Sequence, residues 1–347
     1  MTIDLTGGLD LAWENVFTEP PAHPEMHESI NAWIWDDTGS IGLPRIGVEA
    51  IGNQWETHGL QVNVAFPDGR VYNIFGGGPK HDPLNGSGEP RVLGAGPLVM
   101  EVMEPYRHVQ LRLDGEALAT TTEEEMDGWM PFTATGDKVP ISARIDLYPC
   151  VPPWMNGGLR PEALHLLQTT EEGDLMGYPW RFEQLCRASG TVTIDGTTHT
   201  VDGHANRIRR QSIRRTATLR GHCWQAAVFP SGRAFGYIAY PPYPDGRPTY
   251  NEGYTFAGDG ALVPAEIVDM PLLRSLQASG QDVSVMVRDA DGDHRIHGET
   301  QMSTFMVMPP EGGGLQLQQA IVRYTWDGET AMGMLERSMP GETLTQT

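Results

Sequence analysis

The chain has 347 residues and a formal net charge of −21 at neutral pH. That length accommodates one or two domains, and so acidic a balance excludes a nucleic-acid binder, which needs a basic footprint. No stretch approaches the ~18 apolar residues of a spanning helix, and the N-terminus has neither the basic nor the apolar region of a secretory signal; the expected location is the cytoplasm.

Residues 1–29 are irregular, broken by Pro20, Pro21 and Pro24. His23 and His27 lie in this loop-like stretch and are read as surface histidines. Strands are expected at 30–36 and 45–51. Trp33, Trp35 and Trp55 cluster there, either as core filling or as the aromatic wall of a ligand cavity. Residues 60–66 alternate apolar and polar, turn at Pro67-Asp68-Gly69 and return over 70–75, which specifies a β-hairpin. Gly76-Gly77-Gly78 lacks the Lys-Ser/Thr pair of a phosphate loop.

Further strands are expected at 99–103, 108–114 and 141–147. Glu123-Glu124-Glu125 reads as a solvated surface. Pro149, Pro152, Pro153 and Gly157-Gly158 mark a linker or ordered loop, with Trp154 placed to lie over a cavity. The second half repeats the pattern. Residues 221–229, Pro230-Ser231-Gly232 and 233–240 echo the 60–75 hairpin. A short helix is expected at 271–278. Asp289, Asp291 and Asp293 mimic a calcium loop but lack its distal Glu and helical flanks, so a hairpin turn is preferred. Cys150, Cys186 and Cys223 fit neither a disulfide framework nor a zinc site. His222 and Cys223 are adjacent, so on a strand they point to opposite faces and do not pair.

The stretch 182–215 carries most of the information. Thr191-Val192-Thr193-Ile194 and the run 197–201 flank Asp195-Gly196, a hairpin signal. Arg207, Arg209, Arg210, Arg214 and Arg215 then form a cationic run, read either as a solvated strand face or as a polar cluster between domains or across a pocket mouth. Phe182-Glu183-Gln184, Gly190, Asp195-Gly196, Gly203 and Arg209-Arg210-Gln211-Ser212 resemble the signature of the lipocalin-like hydroxyneurosporene synthase (carotenoid hydratase) superfamily. Arg209 and Ser212 match its Arg-Asp-His-Ser, whereas Arg210 and Gln211 replace the Asp and His. Gly333 and Glu336 resemble its closing Gly-x-x-Glu.

Strands of five to eight residues between Asp-Gly and Gly/Pro turns specify an all-β protein, with a jelly roll as the runner-up to barrels. The resemblance implies two tandem lipocalin-like antiparallel β-barrel domains, set here at 1–178 and 179–347. No nucleophile elbow, dinucleotide fingerprint or HExxH is present, so catalysis is expected to be acid/base work without cofactor or metal. The resemblance implies a lyase, hydratase, isomerase or cyclase acting on a hydrophobic terpenoid, steroid or aromatic metabolite at or between the barrels. The alternative is a non-catalytic carrier of the same ligands. A homodimer is left open. Candidate catalytic residues are His222, Glu336, Arg209 and Tyr324; candidate substrate-binding residues are Trp224, Tyr237, Trp154, Trp33 and Ser212. Arg209 and Glu336 are expected to meet across the fold, because a charge buried in a β core needs a partner.

Overall fold

The computed structural model describes residues 3–215, 220–309 and 314–341, which form two antiparallel β units. The first is an 11-stranded sheet. Its strands are β1 (Met26–Asp36), β2 (Gly42–Ile51), β3 (Thr57–Ala65), β4 (Arg70–Pro79), β5 (Val92–Ala95), β6 (Leu98–Glu104), β7 (His108–Thr121), β8 (Lys138–Pro149), β9 (Trp154–Met155), β10 (Arg181–Ile194) and β11 (Thr197–Ile213). They follow the order β4-β3-β2-β1-β11-β10-β8-β7-β6-β5, with β9 on β10 and a short additional pairing of β4 with β7.

The second unit is a closed eight-stranded barrel whose strands follow chain order. They are β12 (His222–Val228), β13 (Ala234–Ala239), β14 (Asn251–Phe256), β15 (Val263–Asp269), β16 (Val285–Asp289), β17 (Gly292–Val307), β18 (Leu315–Trp326) and β19 (Glu329–Pro340).

This corrects the expectation of two tandem barrels: one barrel closes, and the other unit is a sheet whose path ends on β4 and β5. The central hairpin is the physical reason. The Asp195-Gly196 turn has φ of 47° and 76°, as the sequence requires, but β11 does not stop at the end of the expected run 197–201. It runs on to Ile213 and pairs with β1 over 203–213, while β10 pairs with β8. The hairpin therefore widens the first unit, and the chain changes sheet between Ile213 and His222, after β10 and β11, whereas the expected division falls before them.

Strand alternation sorts the side chains into three apolar layers. Ile30, Ala32 and Ile34 of β1 face the interior of the sheet with Leu111 and Ile145. Phe229, Phe235, Tyr237, Tyr324 and Trp326 fill the barrel. An eight-stranded barrel is just wide enough to be filled by its own side chains, and this one is. The third layer joins the units: Trp33, Trp35, Leu185 and Ile208 from the sheet meet Trp224, Ile238 and Met334 on the outer face of the barrel.

The expected hairpins at Pro67-Asp68-Gly69, at Pro230-Ser231-Gly232 and after Asp289 all form. The helix expected at 271–278 does not; those residues are irregular. Helices occur instead as α1 (Thr122–Met126), α2 (Pro161–Thr169) and α3 (Glu171–Met176), the last two just after the stretch read as a linker. α1 starts on a capping box between Thr121 and Glu124, and Glu125, read as solvated, is buried. α3 ends at Gly177, with φ of 73°, where a Cβ would lie 2.6 Å from Ser212 Oγ and 2.9 Å from Arg210 Cδ. Only glycine allows α3 to close down on β11 at this point.

Candidate functional site

Between the sheet and the barrel lies a cavity of about 150 Å³. The sheet contributes Trp33, Arg45, Arg181 and Arg210, the barrel His222, Trp224 and Glu336, and α3 Leu175 and Met176. Alternation explains this set. On β11, Ile208 and Arg210 face the cavity, while Arg207 and Arg209 point the other way, into the sheet. On β12, His222 and Trp224 face out of the barrel while Cys223 and Gln225 face in.

Trp33 and Trp224 meet edge to face with ring centroids 4.4 Å apart. Trp224 donates its indole N–H to Glu183 Oε2 at 2.8 Å, and Glu183 in turn is paired with Arg181 at 2.8 Å. The ring is thereby fixed, with the Arg181 guanidinium 5.8 Å from its centre. Arg45 lies 5.4 Å from the centre of the Trp33 ring. Both contacts have the geometry of cation–π attraction.

A histidine–glutamate pair sits beside these rings. His222 Nε2 is 3.2 Å from Glu336 Oε1, and His222 Nδ1 is 2.7 Å from Ser338 Oγ. Gln319 donates to Glu336 Oε2 at 2.5 Å, and Asn63 of the sheet donates to Gln319 at 2.8 Å. Burial alone would raise the Glu336 carboxyl; the hydrogen bond and charge of His222, the charge of Arg45 and the Gln319 amide override it and hold it at about 2.

Arg210 is 5% exposed, and its Nε is buried without a hydrogen-bond partner. Its nearest carboxylate is Glu49, at 3.6 Å, which also takes a 2.7 Å contact from His27 and a 4.0 Å contact from Arg214. Burial first, then the charges of Arg214 and Arg181, press the Arg210 guanidinium far below the usual arginine range, against the pull of Glu49. Arginine keeps its proton in proteins, so this pressure appears as destabilisation of the site and not as a neutral side chain.

Four of the nine sequence-derived candidates, His222, Glu336, Trp224 and Trp33, thus converge on one cavity. The other five do not. Arg209 lies on the opposite face of β11, donating to Glu28 at 2.7 Å and to the Asn15 carbonyl at 2.5 Å. Its expected meeting with Glu336 does not occur, because alternation turns the two to different faces. Tyr324 and Tyr237 point into the packed barrel, donating to the Met334 carbonyl at 3.0 Å and to Gln225 Oε1 at 2.7 Å. Trp154 is buried and donates to Glu252 Oε2 at 2.9 Å. Ser212 shares the face of Arg210 but lies under Gly177, outside the cavity lining.

Sequence reasoning missed Arg45, Arg181 and Tyr240 as cavity residues. Arg210 and Arg214 were visible as members of the cationic run, one of whose readings was a cluster across a pocket mouth, and were not separated from Arg207 and Arg209. The alternation of Arg210 with Ile208, opposite to Arg207 and Arg209, was the available signal. Among the described residues no group of three His, Cys, Asp or Glu side chains could hold a metal ion.

The fold is shared with solved structures of low sequence identity. A putative AttH from Nitrosomonas europaea is 13% identical with a TM-score of 0.56, over 91% of this chain and 93% of that one. CghA is 11% identical with a TM-score of 0.50, over 91% and 88%. A structure of CghA with Sch210972 is 12% identical, with the same TM-score and coverage. This agrees with the resemblance carried by the central hairpin, and at these identities the likeness is one of fold. Comparison with curated protein sequences finds no match. Residues 14–341 match the family described as Domain of unknown function (DUF7064), and the chain belongs to that family.

Proposed function

We propose that the protein is a cofactor-independent acid/base enzyme, of hydratase, isomerase, lyase or cyclase type, acting on a hydrophobic metabolite held between the sheet and the barrel. The observation that carries this reading is the part-buried His222–Glu336 pair opening on a cavity walled by Trp33 and Trp224. A titratable side chain beside aromatic faces can move a proton to or from a substrate carbon, and the rings steady a developing positive charge. Glu336, ionised far below neutrality, orients the imidazole and balances its charge when it takes up a proton. The structure of CghA with Sch210972 supports the reading, since a protein of similar fold is there solved with a ligand, Sch210972.

A carrier is the second reading, favoured by one observation: both ring nitrogens of His222 already have partners, Ser338 and Glu336. The proposal places the protein in the cytoplasm, without nucleic-acid partners, as a monomer or homodimer. Among the described residues no helix is long and apolar enough to cross a membrane. The test is a screen of terpenoid, steroid and aromatic metabolites with product detection, on the wild type, His222→Gln and Glu336→Gln. Turnover that both substitutions abolish is the expected result. Stoichiometric capture without product would replace the enzyme with the carrier.

A further inference from the structure

We infer that the molecule bound in this cavity carries an anionic head group, a carboxylate or an acidic enol, which docks on Arg210 and Arg45. This deepens the reading above and rests on the same cavity being the binding site. Four arginines line it, Arg45, Arg181, Arg210 and Arg214, against a single carboxylate, Glu336. In a chain of net charge −21, so local a positive cluster is not a consequence of composition.

The arginines are not equivalent. Arg181 shares with Arg45 and Arg210 a buried Nε without a partner, but its terminal nitrogens are held by Glu183 at 2.8 Å and by Asn156 Oδ1 at 2.5 Å. Arg214 donates its Nε to the Leu175 carbonyl at 2.9 Å. Arg210 and Arg45 each keep a buried Nε without a partner. Among the described residues, Arg45 has the Trp33 ring and the field of Glu336, and Arg210 has the long contact to Glu49. Two cations under-satisfied in this way are costly in the empty protein. A carboxylate between them would supply the missing acceptors, since guanidinium groups bind planar oxyanions through paired N–H donors. The apolar body of the ligand would then lie along Trp33, Trp224, Leu175 and Met176, with its reactive carbon toward His222.

The experiment uses three probes of one shape: 1-naphthylacetate, its methyl ester and 2-(1-naphthyl)ethanol. Binding is read by quenching of tryptophan fluorescence in the wild type, Arg210→Gln and Arg45→Gln. The acid is expected to bind about ten-fold or more tighter than the ester at low salt, as for a charge-assisted hydrogen-bonded pair, with the advantage shrinking as salt is added. Arg210→Gln should remove most of that advantage and leave the ester within about two-fold. Without probe, Arg210→Gln should melt higher than the wild type, because a guanidinium facing three others has gone. If it fails to fold, Arg45→Gln carries the same comparison. An ester bound as tightly as the acid overturns the anionic head group and leaves the cavity reading intact. No binding by any of the three probes overturns both.

Discussion

His222 and Glu336 reach each other diagonally across β12 and β19: Trp224 is opposite Glu336 and Ser338 is opposite His222, so the 3.2 Å contact spans two residues of register on one barrel face. Diagonal pairs on a shared sheet face are within reach of long side chains. The pair therefore follows from the closing strand of the barrel, and loops play no part in it. Its first consequence is in pH dependence. The Glu336 carboxyl moves from an ordinary 4.5 to about 2 in the folded protein. A depressed carboxylate contributes stability above its unfolded value, and that contribution is lost as pH falls through the folded value. Wild type should exceed Glu336→Gln by on the order of 3 kcal/mol near neutrality, with the gap closing between about pH 4.5 and 2. Denaturant melts across that range check it, and a constant gap would reject the assignment. His222→Gln should lower kcat by about 10²- to 10⁴-fold if the imidazole is the acid/base group.

Glu125 has the opposite sign. It was read as one of three solvated carboxylates, yet it is 1% exposed, accepting from Asn73 Nδ2 at 2.9 Å and from the Phe305 N–H at 2.7 Å. Burial outweighs both hydrogen bonds and pushes it up to about 8. A raised folded value means that its contribution is complete below about 4.5 and is lost as pH rises through about 8. Glu125→Gln should flatten the fall in stability between about pH 4.5 and 8, with Asn73 flipping its amide to match. A variant with the same slope as the wild type over that range would show that Glu125 is ionised throughout.

The contrast between these two glutamates marks what the sequence could reveal. Turns were legible, because Asp-Gly and Pro-x-Gly constrain a few local dihedrals. Strand faces were legible wherever apolar residues alternate. Glu336 and His222 were found because a family signature and a strand start pointed to them. What failed depends on distant partners. Glu125 is buried by Phe305, Arg209 is satisfied by Glu28, and the pairing of β11 with β1 widens the first sheet. None of these contacts leaves a local pattern, and a side chain on a correctly identified strand still has two faces to choose between.

Glu252 on β14 should act as a clamp that holds the segment 154–160 of the first unit against the barrel. It accepts from Trp154 Nε1 at 2.9 Å, from the N–H groups of Gly157, Leu159 and Arg160 at 2.6, 3.1 and 2.9 Å, and from the Tyr250 hydroxyl at 3.0 Å. Glu252→Ala strands these donors and should cost about 3–5 kcal/mol, the range for breaking a buried charged network. Proteolytic cleavage should then appear within residues 154–160. Trp154→Phe, which removes one donor, should cost only about 1–2 kcal/mol and leave probe binding in the cavity unchanged. Loss of probe binding in Trp154→Phe would return that indole to the ligand wall.

The last prediction concerns where Arg209 finds its partner. The guanidinium and the Glu28 carboxylate are both fully buried and 2.7 Å apart, with Asn15 and Gln211 completing the network. Removing one member leaves the other uncompensated, so Arg209→Ala and Glu28→Ala should each cost about 3–5 kcal/mol. The double variant should cost less than the sum, because the second substitution removes the stranded charge. Arg209→Ala combined with Glu336→Ala should instead be additive within about 0.5 kcal/mol, as the two share no partner and face different layers. Urea unfolding of the three single and two double variants measures both cycles. A large coupling between Arg209 and Glu336 would mean that β11 is turned over in solution, with Arg210 inside the sheet and the cavity's positive charge gone. Weak coupling between Arg209 and Glu28 would mean that water or Asn15 carries the guanidinium without the carboxylate.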